Sequence, residues 1–250
     1  MTPGELCREI DRLAVGDYRL FGGRLVDGRD PRASIPADDL LNTPMREAID
    51  RRFARRFEVF DDRAVHSIWM KWYLNAFIPP ILLADILLGQ SVAVELPKLR
   101  FIIADDGRVD AIKINGTRDS NSEDPFRRYG PMVFDHFAPL IALWCSRTEV
   151  TGRVFWSNVG NTFEAVLRRI ETVSGPSARL SDAQCLLATP DWLGKRNPLF
   201  DAVRYVSDGA AGRRRRRVCC LQYLLPDRRF CKACPIEEAR APPHQEGMAS

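Results

Sequence analysis

Most of the chain repeats its apolar residues every three to four positions, and one central stretch breaks that rhythm. Thr43-Pro44 reads as an N-cap with proline at the first helical position, opening a helix through Ile49, Phe53 and Phe57. Its polar face carries Arg51, Arg52, Arg55 and Arg56. Asp61 or Asp62 caps a second helix through Val65, Ile68, Trp69, Trp72 and Tyr73, expected to stop at Pro79-Pro80, and a third runs from Pro80 to Gly89. The rhythm then changes. Leu99 to Ala104 and Val109 to Ile114 are β-rich runs joined by Asp105-Asp106-Gly107-Arg108, which predicts a hairpin with an Asp-Gly turn. Helical spacing returns with Val133, Phe137, Leu140, Ile141 and Trp144, and again with Phe163, Val166, Leu167 and Ile170. Ser181 to Gln184 fits a capping box for a short helix before Pro190, and Pro198 to Val206 reads as a turn leading into a strand.

This pattern predicts an α+β protein: a mainly helical body around a small antiparallel sheet, with a C-terminal metal module. The expected divisions are an N-terminal helical segment (1–60), a body (61–206), a cysteine-bearing module (207–240) and a tail (241–250) without periodicity. The apolar stretch from Trp72 to Gly89 contains Pro79-Pro80 and Asp85, and its uninterrupted pieces fall short of the ~20 residues of a membrane span. Two buried helices are expected there instead. At 250 residues and 45% hydrophobic, the chain buries a core without needing disulfides. Its seven cysteines are an odd number, and no basic or apolar leader precedes Asp11, so a reducing, cytoplasmic location is expected.

The net charge of +4 is concentrated. Arg213 to Arg217 supply five positive charges, so the rest of the chain is near neutral and no general nucleic-acid coat is expected. The run reads as a solvated loop, a nucleic-acid arm, or a cationic neighbour to a metal centre. Other chemistry is missing. There is no G-x-G-x-x-G, H-E-x-x-H or G-x-S-x-G, and Asp119-x-Asn121-x-Glu123 lacks the glycine and glutamate of a calcium loop. His66 and His136 lie in apolar helical stretches and read as structural histidines, while Cys7, Cys145 and Cys185 are scattered. Trp156-Ser157-Asn158 places polar residues beside a tryptophan, a pattern that serves a turn or a substrate contact, so Trp156 and Asn158 are candidate substrate-binding residues.

Cys219, Cys220, Cys231 and Cys234, in the pattern C-C-x10-C-x2-C, are the hardest residues to explain by packing. The second pair turns both sulfurs toward one metal, with Pro235 stiffening the exit. Adjacent cysteines diverge along an extended chain and need a local kink or the two irons of a binuclear cluster. Zinc sites usually repeat C-x2-4-C, whereas iron–sulfur clusters accept uneven all-thiolate spacing. Zinc, a cluster and a disulfide all stay open on spacing alone.

Arg216-Arg217-Val218-Cys219-Cys220-Leu221-Gln222-Tyr223, with Cys231-x2-Cys234-Pro235, resembles the C-terminal signature of the FhuF-like ferric siderophore reductases. Weaker likenesses follow in order along the chain: His66-Ser67-x4-Trp72-Tyr73, Phe155-Trp156-Ser157-Asn158, and Asn197-Pro198-Leu199 leading to Arg204-Tyr205-Val206. Residues 1–60 have no counterpart, and Lys232 stands where a small residue is expected.

The resemblance implies a [2Fe–2S] cluster held by Cys219, Cys220, Cys231 and Cys234, making the C-terminal segment an iron–sulfur module. It implies a cytoplasmic protein, peripheral to the inner membrane or to a siderophore importer, that reduces ferric siderophores of hydroxamate type. An unidentified electron donor is its partner, and no nucleic acid is expected. Arg216 and Arg217 are expected to tune the cluster or dock the donor, because cationic neighbours favour the more negative, reduced state. The rival readings are a structural zinc module whose basic segment binds nucleic acid or an acidic protein, and an iron–sulfur redox sensor.

Overall fold

In the computed structural model, which describes residues 1–58, 61–120, 124–206, 212–226 and 228–236, helix α1 (Pro3–Leu13) opens the chain with a reciprocal cap between Thr2 and Glu5. Two short strands, β1 (Leu25–Asp27) and β2 (Ile35–Pro36), precede α2 (Thr43–Ala54). The N-cap of α2 is Asn42, one residue earlier than the Thr43-Pro44 pattern suggests.

Helix α3 (Asp62–Leu88) corrects the sequence expectation most clearly. Asp61 caps it as expected, but Pro79 and Pro80 lie inside one continuous helix of 27 residues. Each proline leaves a carbonyl one turn earlier without its amide donor and costs about 3 kcal/mol. Those carbonyls belong to Asn75, which is exposed, and to Ala76. Phe77, Ile78, Leu82 and Leu83 are fully buried, and at roughly 1.5–3 kcal/mol per side chain their burial outweighs the two breaks. By length and composition α3 is apolar enough to cross a membrane, and most of its surface is spent inside this core.

After α3 come β3 (Gln90–Val92), the hairpin β4 (Leu99–Ile103) and β5 (Val109–Ile114), and β6 (Thr117–Asp119), which pairs antiparallel with β3. The hairpin forms where the Asp-Gly signal placed it, with Gly107 at φ +81°. A side chain there would start 2.6 Å from the carbonyl oxygen of Ile49, so both the turn and the close approach of α2 require glycine.

The main sheet has the order β1-β5-β4-β2 and is not wholly antiparallel, because β1 pairs parallel to β5, with Leu25 opposite Ile112. Residues before Phe60 therefore supply half of this sheet's strands. Leu6, Ile10, Tyr18, Leu40 and Phe53 also join the same core as α3.

Helix α4 (Pro125–Gly130) leads through a π-helical stretch, Pro131–Phe137, into α5 (Ala138–Arg147). Helix α6 (Gly152–Ser174) lies along α3, and α7 (Ala178–Ala188) starts from Ser177, whose hydroxyl caps Leu180, rather than from Ser181. The two-residue strands β7 (Asp191–Trp192) and β8 (Lys195–Arg196) form a small hairpin, and β9 (Val203–Val206) pairs antiparallel with β10 (Arg213–Arg216). The whole is a mixed α+β protein with a helical majority and small sheets. Most of the loop expected at 207–212, the acidic residues 121–123 and the tail lie outside the described residues.

His136 is structural, as its apolar setting suggested. Fully buried, it meets the carbonyl of Val94 at 2.6 Å through Nδ1 and the hydroxyl of Tyr73 through Nε2. Burial pulls it down to about 3, so the ring is neutral, and Nδ1–H donates while Nε2 accepts. Asp85, inside α3, is held by Ser120, Tyr129 and Arg179.

Candidate metal centre

Pairing with β9 makes a strand of the arginine run, so its side chains are placed rather than free in solvent. Arg214 reaches Glu164 and the carbonyl of Asn161, Arg215 donates to the carbonyl of Cys234 at 2.7 Å, and Arg217 pairs with Asp201 at 2.6 Å. Arg216 is only 1% exposed. Its Nη2 donates to Asn158, while Nε and Nη1 are buried without a hydrogen-bond partner.

The chain turns from β10 into the cysteine pair. Leu221, directly after the pair, is at φ +61°, and this turn aims its amide at Cys219 Sγ from 3.3 Å. The second pair forms the expected turn, with the amide of Cys234 donating to the carbonyl of Cys231 at 2.9 Å. Cys220 and Cys234 are buried and Cys219 and Cys231 half-buried. The thiol of Cys231 donates to Cys220. That bond, followed by the charges of Lys71 and Arg216, holds Cys220 well below the ordinary thiol value despite its burial, and Cys231 is correspondingly raised. Burial raises Cys219, while the Leu221 amide opposes it. Lys71 Nζ lies 3.6 Å from Cys220 Sγ and is steadied by Gln222 at 2.9 Å.

Two helices anchor this segment. Ser67 on α3 donates to the carbonyl of Cys220, and Asn158 on α6 bridges Ser67 to Arg216. The short likenesses around Ser67 and Asn158, far apart in the chain, thus meet behind the cysteines. Asn158 is fully buried in this role and does not face open space, contrary to the substrate contact its sequence setting suggested. His66 lies 3.7 Å from Asp50 with its Nδ1 unpartnered.

Among the described residues no three His, Cys, Asp or Glu side chains are drawn together tightly enough to count as a finished metal site. The surroundings nevertheless fit an anionic thiolate centre. Burial disfavours the Arg216 charge, and what offsets it is the nearby thiols of Cys220, Cys231 and Cys219. A buried guanidinium near the thiols with two unpartnered nitrogens, Nε and Nη1, lacks anionic acceptors, which four metal-bound thiolates would provide. The same charge argument suits zinc as well as a [2Fe–2S] group, since either with four thiolates carries −2 overall.

One residue from Cys219, Val218 forms part of the wall of an open cleft of about 520 Å³. Trp156, Phe200, Arg153, Arg196, Asp201 and Arg217 contribute to its lining. Trp156 therefore borders open space, and Ser157 donates to the carbonyl of Val218 at 3.4 Å. Lys71, Ser67, Arg153 and Arg196 escaped the sequence reading. Only Ser67 stood in a noted motif, and Arg196 directly precedes another.

The fold and site together define an α+β protein whose C-terminal thiols rest on two core helices beside an open cleft. The chain belongs to the family described as ferric iron reductase FhuF-like transporter, whose family model matches residues 67–213. It is also similar to the ferric siderophore reductase of Escherichia coli (strain K12), at 26% identity over 182 residues, covering 71% of this chain and 67% of that protein.

Proposed function

We propose that the protein is a siderophore-iron reductase, converting Fe(III) held by a siderophore of hydroxamate type to Fe(II) in the cytoplasm, at or near the inner membrane where an importer delivers the complex. Family membership supports siderophore-iron reduction in general. The observation that carries the finer reading is Arg216, buried beside the thiols with unsatisfied donors and directly followed by Arg217 and Val218, which line the cleft.

Cys219, Cys220, Cys231 and Cys234 would hold a [2Fe–2S] cluster. When bound, such a group supplies one electron at a time and needs no acid or base. Arg216 and Lys71 place positive charge against the thiolates, and Ser67 and Asn158 fix the backbone and guanidinium that do so. The cleft beside Val218 holds the ferric complex, with Trp156 and Phe200 as its apolar walls. Fe(II), with less charge and a softer preference, binds hard oxygen ligands far more weakly than Fe(III), so one electron releases the metal. The electron comes from a cellular donor that the basic surface around Lys71 and Arg228 is suited to receive.

A zinc module binding nucleic acid through its arginines is the weaker reading, because Arg214, Arg215, Arg216 and Arg217 all have partners within the fold. Anaerobic purification with iron, acid-labile sulfide and zinc analysis, followed by trapping of Fe(II) released from a ferric trihydroxamate, tests the proposal. Iron with matching sulfide and repeated turnover is expected. Colourless zinc protein replaces the reading with the zinc module, and a cluster without turnover replaces it with a redox sensor.

A further inference from the structure

The charge of the cleft narrows its substrate. Three guanidiniums line it, from Arg153, Arg196 and Arg217, against a single carboxylate, Asp201. Asp201 is already paired with Arg217 at 2.6 Å. Arg153 and Arg196 are exposed, and neither guanidinium has an ion pair or hydrogen bond among the described residues. They flank Trp156, half-buried, and Phe200, 43% exposed. Two guanidiniums without protein partners beside two aromatic side chains, in a cleft of about 520 Å³, suit a ligand of drug-like size with an apolar body and negative charge at its edge. A ferric complex of three plain hydroxamates is neutral, and one bearing a free amine is cationic. Neither uses these guanidiniums.

We infer that the cleft selects ferric chelates of net negative charge, in which carboxylates accompany hydroxamates as in the citrate–dihydroxamate class, with Arg153 and Arg196 as the specificity-determining residues. The inference rests on the reductase reading above. Arginine suits this role because its planar fork meets a carboxylate through two parallel hydrogen bonds. Asp201 sets the limit, because it neutralises the third guanidinium.

Gallium(III) complexes test this on the full-length protein, since Ga(III) keeps the charge and coordination of Fe(III) but is not reduced. Binding of a gallium citrate–dihydroxamate, a neutral cyclic trihydroxamate and an amine-bearing linear trihydroxamate is measured by calorimetry at two salt concentrations. The anionic complex should bind at least about tenfold more tightly than the others, with an advantage that shrinks as salt rises. Arg153→Gln with Arg196→Gln should remove most of that advantage and leave the neutral complex within about twofold. Asp201→Asn, which frees Arg217 and places asparagine at a position of φ +52°, should tighten binding of the anionic complex, a gain that misfolding does not mimic. Equal affinity for all three complexes, or a double variant with undiminished preference, overturns the inference. Reduction of the matching ferric complexes is measured separately. Charge-selective gallium binding without Fe(II) release sinks the reductase reading alone, and release without charge selectivity sinks this inference alone.

Discussion

Ser67 Oγ donates a 2.9 Å hydrogen bond to the carbonyl of Cys220, 153 residues further along the chain. Asn158 donates to the same hydroxyl at 3.0 Å and accepts from Arg216, so one buried chain of polar groups ties α3 and α6 to the cysteine segment. Such a chain specifies one arrangement, because each member left unpaired in the interior costs about 1–3 kcal/mol.

Ser67→Ala should therefore lower unfolding stability by about 1–2 kcal/mol, and Asn158→Leu by about 2–4 kcal/mol, since the latter leaves Arg216 only a 3.4 Å contact with Ser157 Oγ. Urea unfolding at equilibrium measures both. A loss below 0.5 kcal/mol in Asn158→Leu, on an approximate scale set by surface substitutions, means that the link is decorative.

Changing Cys219, Cys220, Cys231 or Cys234 singly to serine should remove most bound metal, whereas Cys7→Ser, Cys145→Ser and Cys185→Ser should retain it. Cys7 is buried, with its thiol pushed up to about 12, first by burial and then by Asp27, so it is no thiolate at neutral pH. Iron, zinc and sulfide per chain provide the readout. Full occupancy in Cys220→Ser takes that residue out of the ligand set.

Arg216 and Arg217 should separate in their effects. Arg216 is buried beside the thiols, whereas the Arg217 side chain is 42% exposed and paired with Asp201. Arg216→Gln should lower the reduction potential by ~30–60 mV, corresponding to about 1 kcal/mol for one electron, and Arg217→Gln should change it much less. Redox titration with optical detection decides the matter. Equal shifts would place the electrostatic effect in the surface field rather than in the buried charge.

Acid should destabilise the fold through His136. The unfolded ring takes up a proton near pH 6.5 and the buried one only near 3, so between those values the unfolded chain binds more protons. Stability attributable to this group is complete above about pH 6.5 and falls by up to about 1.4 kcal/mol per pH unit below it. Comparing urea midpoints of the parent and His136→Gln from pH 7 to 4.5 isolates the contribution. Parallel curves for the two proteins would show that the ring titrates normally.

The hairpin turn at Gly107, the amphipathic run of α6 and the four cysteines were legible in the sequence, because each is written in residues close together. A positive-φ glycine, a 3.6-residue apolar period and a C-x2-C turn depend on local sterics and spacing. What α3 does at Pro79-Pro80 was not local. The prolines argue for a break, and only the burial of Phe77, Leu82 and Leu83 in a shared core overrides it. Pairing of β1 with β5 was equally hidden, because three residues carry no period and their partner lies 87 positions away, from Leu25 to Ile112. The arginine run announced its charge but not its direction. Register against β9 turns Arg216 inward, and Asn158 follows it into the interior, while Trp156, two residues earlier on the same helix, faces the cleft. Sequence determined which groups bring chemistry to this protein. Tertiary structure decided which of them are buried together, because burial is a property of the surfaces that meet.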